Sequence, residues 1–128
     1  ERLRAAKAWS VWEGATLTME SNPGVVEHIS EARRALSLAR IECHYFVNHC
    51  FMDADQLLRD ADRLHGIPGV IVHGRYDVVC PVDNAWMLHQ AWPEAELRIV
   101  TPAGHAASEP GIVDALITAT QSFADRLK

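Results

Sequence analysis

The strongest constraint on this chain is the run Gly69-Val70-Ile71-Val72, preceded by Ile67-Pro68 and ended by His73-Gly74. An uninterrupted β-branched run suits a strand buried on both faces, as in a parallel sheet. After a loop from His73 to Val79, Pro81 marks a helix start and Pro93 stops that helix near Trp92. Glu96-Leu97-Arg98-Ile99-Val100 alternates and reads as a second strand. Thr101 to Pro110 is a loop, and Gly111 to Lys128 a final helix with Ile112, Ala115, Leu116, Ala119, Phe123 and Leu127 on one face. Strand, helix, strand, helix with short connections predicts an α/β segment over 66–128, its strands parallel through a right-handed crossover.

The first 65 residues read as helical. Apolar positions Ala5, Trp9, Trp12, Thr16 and Met19 place a helix over Leu3–Met19, stopped at Ser21-Asn22-Pro23-Gly24. A long helical pattern follows from Val25 to Phe51 through Ile29, Ala32, Leu36, Ala39, Cys43, Phe46 and Cys50. That length suits an interrupted helix better than a single one. Asp55 to His65 reads as a short helix closed by Gly66.

Composition excludes several classes of function. Of 128 residues 48% are hydrophobic, too many for a disordered chain, and no apolar stretch approaches the roughly 20 residues of a membrane span. The net charge is −5, spread over both halves, so no basic surface is present for nucleic acid. Three cysteines, none in a CxxC, argue against a disulfide framework and make a reducing cytoplasm the default. Cys43 and Cys50, seven apart on one helix, read as a buried thiol pair packing as small hydrophobes rather than as metal ligands. No metal or cofactor is called for. Trp9 and Trp12 read as packing residues.

Ligands of an open parallel sheet bind outside the carboxyl ends of its strands. Two loops lie there: His73-Gly74-Arg75-Tyr76-Asp77 and Pro102-Ala103-Gly104-His105. A carboxylate after one strand and an imidazole after the next can meet across adjacent strand tips. Asp77 would then accept from one nitrogen of His105, fix its tautomer and stabilise the imidazolium, while the other nitrogen takes a proton from a serine. Alone, Asp77 could be a turn former and His105 a solvated loop residue. Together, at the ends of two parallel strands, they favour the rear of a triad. None of the six serines lies in G-x-S-x-G, so the nucleophile is expected on a missing N-terminal part.

Ala6-Lys7-Ala8-Trp9-Ser10-Val11-Trp12-Glu13-Gly14, Ala39-Arg40-Ile41-Glu42 followed by His44-Tyr45-Phe46, His73-Gly74-Arg75-Tyr76-Asp77 with Cys80-Pro81, and Ala103-Gly104-His105 resemble bacterial proline iminopeptidases. The resemblance covers essentially the whole chain but only the back portion of such an enzyme. It implies the C-terminal part of an α/β-hydrolase fold, 66–128, preceded by a helical cap segment, 1–65. It implies hydrolytic release of N-terminal proline from peptides, with Asp77 and His105 as triad acid and base. Glu13 and Glu42 would bind the substrate's amine from the cap, and Val79 and Cys80 would line the pyrrolidine pocket.

Charge supports that assignment of the glutamates. An exopeptidase must recognise a free terminus, whose α-amino group titrates near ~8, and two partly desolvated carboxylates would hold such a cation. From the residues alone, a ligand role and a solvent-facing helix edge weigh about equally for Glu13 and Glu42. Tyr45, Phe46, Val79 and Cys80 are candidate walls of a small apolar slot. An epoxide hydrolase or dehalogenase type of capped hydrolase stays open, though a neutral substrate needs no counter-charge. A non-catalytic interaction fragment stays open too. The expected partners are a proline-headed peptide and the missing N-terminal part. A homo-oligomer is compatible with the sequence. The 128 residues alone are expected to be inactive and poorly stable, since two strands leave hydrogen-bonding edges uncovered.

Overall fold

The computed structural model describes residues 1–126 and is mixed α/β, with two parallel strands and six α-helices among them. Strands β1 (Gly69–Gly74) and β2 (Ala95–Val100) pair in register from Gly69 opposite Ala95 to Gly74 opposite Val100. Helix α5 (Val82–Ala91) connects them, α6 (Pro110–Arg126) follows β2, and both helices pack on both strands. Leu127, assigned by the sequence to the apolar face of α6, lies outside the described residues.

Three helices precede the sheet: α1 (Arg2–Thr16), α2 (Pro23–Ser30) and α3 (Ala32–Val47), with α1 packed on both others. Their contact is made by small residues. Ala6, Ala35 and Ala39 are buried together with Leu36 beside them. At Gly14 an added Cβ would lie 2.9 Å from the Cα of Val26, so hydrogen is the largest group that fits where α1 and α2 meet. The interruption expected between Val25 and Phe51 falls at Glu31, whose extended backbone (ψ 137°) ends α2. Its carboxylate accepts from the N–H groups of Arg33 and Arg34 and so caps α3.

Helix α1 stops three residues short of the sequence expectation, at Thr16. The Leu17 carbonyl, which a longer helix would use internally, accepts from the backbone N–H groups of His105 and Ala106 at 2.9 and 2.8 Å. Asp55–His65 is shorter than expected as well, a four-residue helix α4 (Gln56–Arg59) and a 3₁₀ turn over Ala61–Leu64, with Gly66 at φ +80° after it.

Two burial expectations are corrected. Val70–His73 of β1 are half-buried rather than enclosed on both faces: among the described residues α5, α6 and one neighbouring strand pack on them. Cys43 and Cys50 are exposed free thiols. The helix carrying Cys43 ends at Val47, and Cys50 follows in a turn where His49, Cys50 and Phe51 all have positive φ, so the seven-residue spacing no longer keeps them on one face. No helix of the described residues is long and apolar enough to cross a membrane.

Candidate active site

The loop after β1 is folded around one carboxylate. Asp77 Oδ1 accepts from the N–H groups of Val79 (2.9 Å) and Cys80 (2.8 Å), a tight turn that an aspartate closes with its own side chain. The second oxygen, Oδ2, accepts from His105 Nδ1 at 3.0 Å across twenty-eight residues of sequence. The Asp77 side chain is only 4% exposed and that of His105 34%, so the acid is enclosed while the imidazole still reaches the surface.

Backbone contacts make this meeting possible. The strand pairing continues past the tips: Arg75 N–H donates to Val100 O and Tyr76 N–H to Ala103 O, both at 2.9 Å. Gly74 ends β1 directly under the second loop, where an added Cβ would fall 1.9 Å from Gly104 O. The absence of a side chain there brings the two loops together.

Electrostatics fix the charge state of the acid. Burial pushes the Asp77 carboxyl upward. The Cys80 N–H, the hydrogen bond and charge of His105 and the Val79 N–H outweigh it and hold the group below the usual aspartate range. Asp77 is therefore a carboxylate at neutral pH and takes the Nδ1 proton of His105 as its donor, which turns Nε2 away from this bond. The Cys80 thiol is pushed up, first by partial burial and then by the Asp77 charge. It is a poor thiolate and a poor candidate for nucleophile.

A second histidine also reaches this cluster. His73 Nε2 donates to Cys80 O at 2.9 Å and lies 3.5 Å from Asp77 Oδ2. The sequence places His73 where the strand gives way to the acid loop and assigns it no contact of its own; the structure makes it a brace of the acid turn.

The two glutamates come together from separate helices, Glu13 on α1 and Glu42 on α3. Trp9 Nε1 donates to Glu42 Oε2 at 2.8 Å, a role that the reading of Trp9 as simple packing misses. Burial first, then the charge and carboxyl hydrogen bonding of Glu42, raise the Glu13 pKa above the ordinary glutamate value, against a smaller opposing effect of Trp9. Among the described residues Glu13 Oε2 is buried without a hydrogen-bond partner, as is the Ser10 hydroxyl one turn earlier. A crowded pair of carboxylates with an unsatisfied oxygen has the chemistry to take up a compact cation with N–H donors.

The four candidate wall residues are less concentrated. Val79 and Cys80 lie on the acid turn and are exposed. Tyr45 stands edge-on to Phe51 (ring centroids 5.4 Å apart) beside His44, at the far end of α3, and Phe46 is 56% exposed. Among the described residues no hydrogen bond or ring contact joins Tyr45 or Phe46 to Val79 or Cys80.

No family model matches the chain. Individual relatives do. It is 60% identical over 124 residues to a proline iminopeptidase of Xanthomonas citri, covering 96% of this chain and 40% of that protein. A proline iminopeptidase of Arabidopsis thaliana is 48% identical over 120 residues (93% and 32%), and one of Neisseria gonorrhoeae 44% over 126 residues (98% and 39%). The chain thus spans about two fifths of the length of the first of these curated relatives.

Proposed function

This chain belongs to the proline iminopeptidase family, corresponding to a C-terminal stretch of it, and from that premise we propose that it supplies the acid, the base and the amine-binding carboxylates of a serine exopeptidase that releases N-terminal proline. The observation that carries the reading is the 3.0 Å bond between Asp77 Oδ2 and His105 Nδ1 at the tips of neighbouring parallel strands.

The chemistry follows from that bond. His105 Nε2 takes the proton of a serine hydroxyl contributed by the rest of the enzyme as the serine oxygen attacks the proline carbonyl carbon. Asp77 stabilises the imidazolium that forms. The imidazolium then protonates the leaving amide nitrogen, and the peptide departs one residue shorter. Water, deprotonated by the same imidazole, attacks the resulting ester, and the serine recovers its proton as free proline leaves.

Substrate class is set by the helical part. Residues 1–65 serve as a cap over 66–128, and Glu13 and Glu42 hold the protonated ring nitrogen of the terminal proline. That nitrogen lies two bonds from the carbonyl carbon under attack, so anchoring it also aims the carbonyl. An internal peptide bond carries no such charge and would leave two carboxylates uncompensated, which rejects it. Val79, Cys80, Tyr45 and Phe46 belong to the apolar wall around the ring in this reading. Three free thiols fit a cytoplasmic setting.

The test is release of proline from a proline arylamide by the full-length enzyme and by its Asp77→Asn and His105→Ala variants. Turnover by the wild type, lost in both variants, supports the reading. Turnover surviving in a folded His105→Ala enzyme would refute it. The isolated 128 residues, which hold no serine in an elbow motif, release none.

A further inference from the structure

We propose that Glu109 is a positioning residue for the base: its carboxylate ties the loop that carries His105 to the segment leaving α1, and so sets the imidazole relative to the helix that bears Glu13. The inference rests on the reading of Asp77 and His105 as acid and base, and adds a residue which that reading does not use.

Glu109 immediately precedes Pro110, the first residue of α6, and its carbonyl accepts the first intrahelical bond, from Val113 N–H at 3.0 Å. A side chain at this position ordinarily turns back onto the free N–H groups of its own helix. Here both oxygens go elsewhere. Oε1 accepts from Gly104 N–H at 2.6 Å, and Oε2 accepts from Met19 N–H at 3.3 Å, ninety residues away in sequence. One carboxylate therefore bridges the residue before His105 and the chain just beyond α1.

The bridge is reinforced on the same two segments. Leu17 O accepts from His105 and Ala106, while Leu17 N–H donates to Glu13 O at 3.0 Å. Leu17 thus links the backbone of Glu13, through its N–H, to the backbone of His105, through its carbonyl. Gly104 is buried in this junction, and a Cβ there would stand 3.0 Å from Met19 N and 3.1 Å from Glu109 Oε1. Glycine lets the three segments close on one another, and the Glu109 carboxylate occupies the space so made. Such double acceptance by an ion is stronger and more directional than a neutral contact.

Misplacing a catalytic group by about 1 Å can cost about 10²-fold in rate, so loss of this tie is expected in kcat. In the full-length enzyme, Glu109→Ala should lower kcat at least tenfold on both a proline arylamide and an aryl ester that lacks an amino group, because both depend on His105. KM for the arylamide should stay within threefold, because Glu13 and Glu42 are untouched. Glu109→Gln, which keeps an acceptor for Gly104 N–H, should recover at least a third of the wild-type kcat. Amide hydrogen exchange at Gly104 and His105 should accelerate in Glu109→Ala and less in Glu109→Gln. A folded Glu109→Ala enzyme with kcat within twofold of wild type would overturn the proposal. So would a loss confined to the amine-bearing substrate, or exchange at Gly104 unchanged in both variants. Should Glu109→Ala fail to fold, Glu109→Asp, one methylene too short to hold both the Gly104 and Met19 N–H groups, decides instead: a loss of more than twofold in kcat together with faster exchange at Gly104 would support the tie, and any other result would overturn it. Failure of the parent reading has a different signature, namely no proline release by the wild type, or full turnover by Asp77→Asn, whatever the exchange at Gly104.

Discussion

Trp9 Nε1 donates to Glu42 Oε2 at 2.8 Å, joining α1 to α3 across thirty-three residues of sequence. With one oxygen of Glu42 directed at an indole and Glu13 Oε2 buried without a hydrogen-bond partner among the described residues, the two carboxylates are unequal. Glu42 is oriented and Glu13 is under electrostatic pressure. In Trp9→Phe the ring's bulk largely remains but the N–H is gone. The expected result is a three- to tenfold rise in KM for a proline arylamide, the range for losing one ordinary hydrogen bond at an exposed site, about 1 kcal/mol. Turnover of an ester without an amino group should be unchanged. Equal effects on both substrates would remove the indole from the amine site.

Glu13→Gln separates binding from stability. Because the Glu13 pKa is raised in the folded chain, the folded state binds the proton more tightly than the unfolded state. Stability then falls as pH rises from the unfolded glutamate value through the raised folded one, and the full penalty persists above it. Glutamine carries no such penalty. Thermal unfolding should show a gain in Tm of about 2–5 °C for Glu13→Gln at pH 8, shrinking towards zero near pH 4. At the same time kcat/KM for a free N-terminal proline should fall at least tenfold, far more than for the amine-free ester. A Tm difference independent of pH would contradict the assigned cause of the shift.

Asp77 has the opposite sign. Its carboxyl is held below the usual value, so its contribution is fully present above the unfolded aspartate pKa and disappears as pH falls through the lower folded value. Asp77→Asn should therefore lower Tm at pH 7 and lose its difference from wild type in strong acid. An asparagine can also present its amide N–H to His105, which favours the wrong tautomer. A fall of roughly 10³–10⁴-fold in kcat is expected, by analogy with serine-protease triads. Steady-state kinetics on a proline arylamide, beside unfolding curves at two pH values, measure both effects.

What the sequence disclosed depended on whether the determining interaction was local. The strand over Gly69–Gly74 follows from consecutive β-branched residues, and Asp77 and His105 meet as expected because each directly follows a strand of a parallel pair. The end of α1 was not legible, since it is set by His105 and Ala106 claiming the Leu17 carbonyl from the other half of the chain. Trp9, His73 and Glu109 were missed for the same reason: each acts through a partner that only the tertiary arrangement supplies. The left-handed turn at His49–Phe51 gave no signal because it contains no glycine.

Gly74 tests whether the closeness of the two loops matters by itself. A methyl group there would sit 1.9 Å from Gly104 O and 2.8 Å from Ala103 O, both backbone atoms that cannot swing aside as a side chain would. The loop carrying His105 must then lift from the tip of β1, at the expense of the Tyr76 N–H bond to Ala103 O. Gly74→Ala should lower Tm by several degrees and lengthen the Asp77–His105 bond. It should also speed hydrogen exchange at the Tyr76 amide and reduce kcat on the arylamide and the ester alike. A crystal structure of the variant with that bond still near 3.0 Å, together with unaltered kcat, would show that the loops tolerate separation and that the glycine serves packing alone.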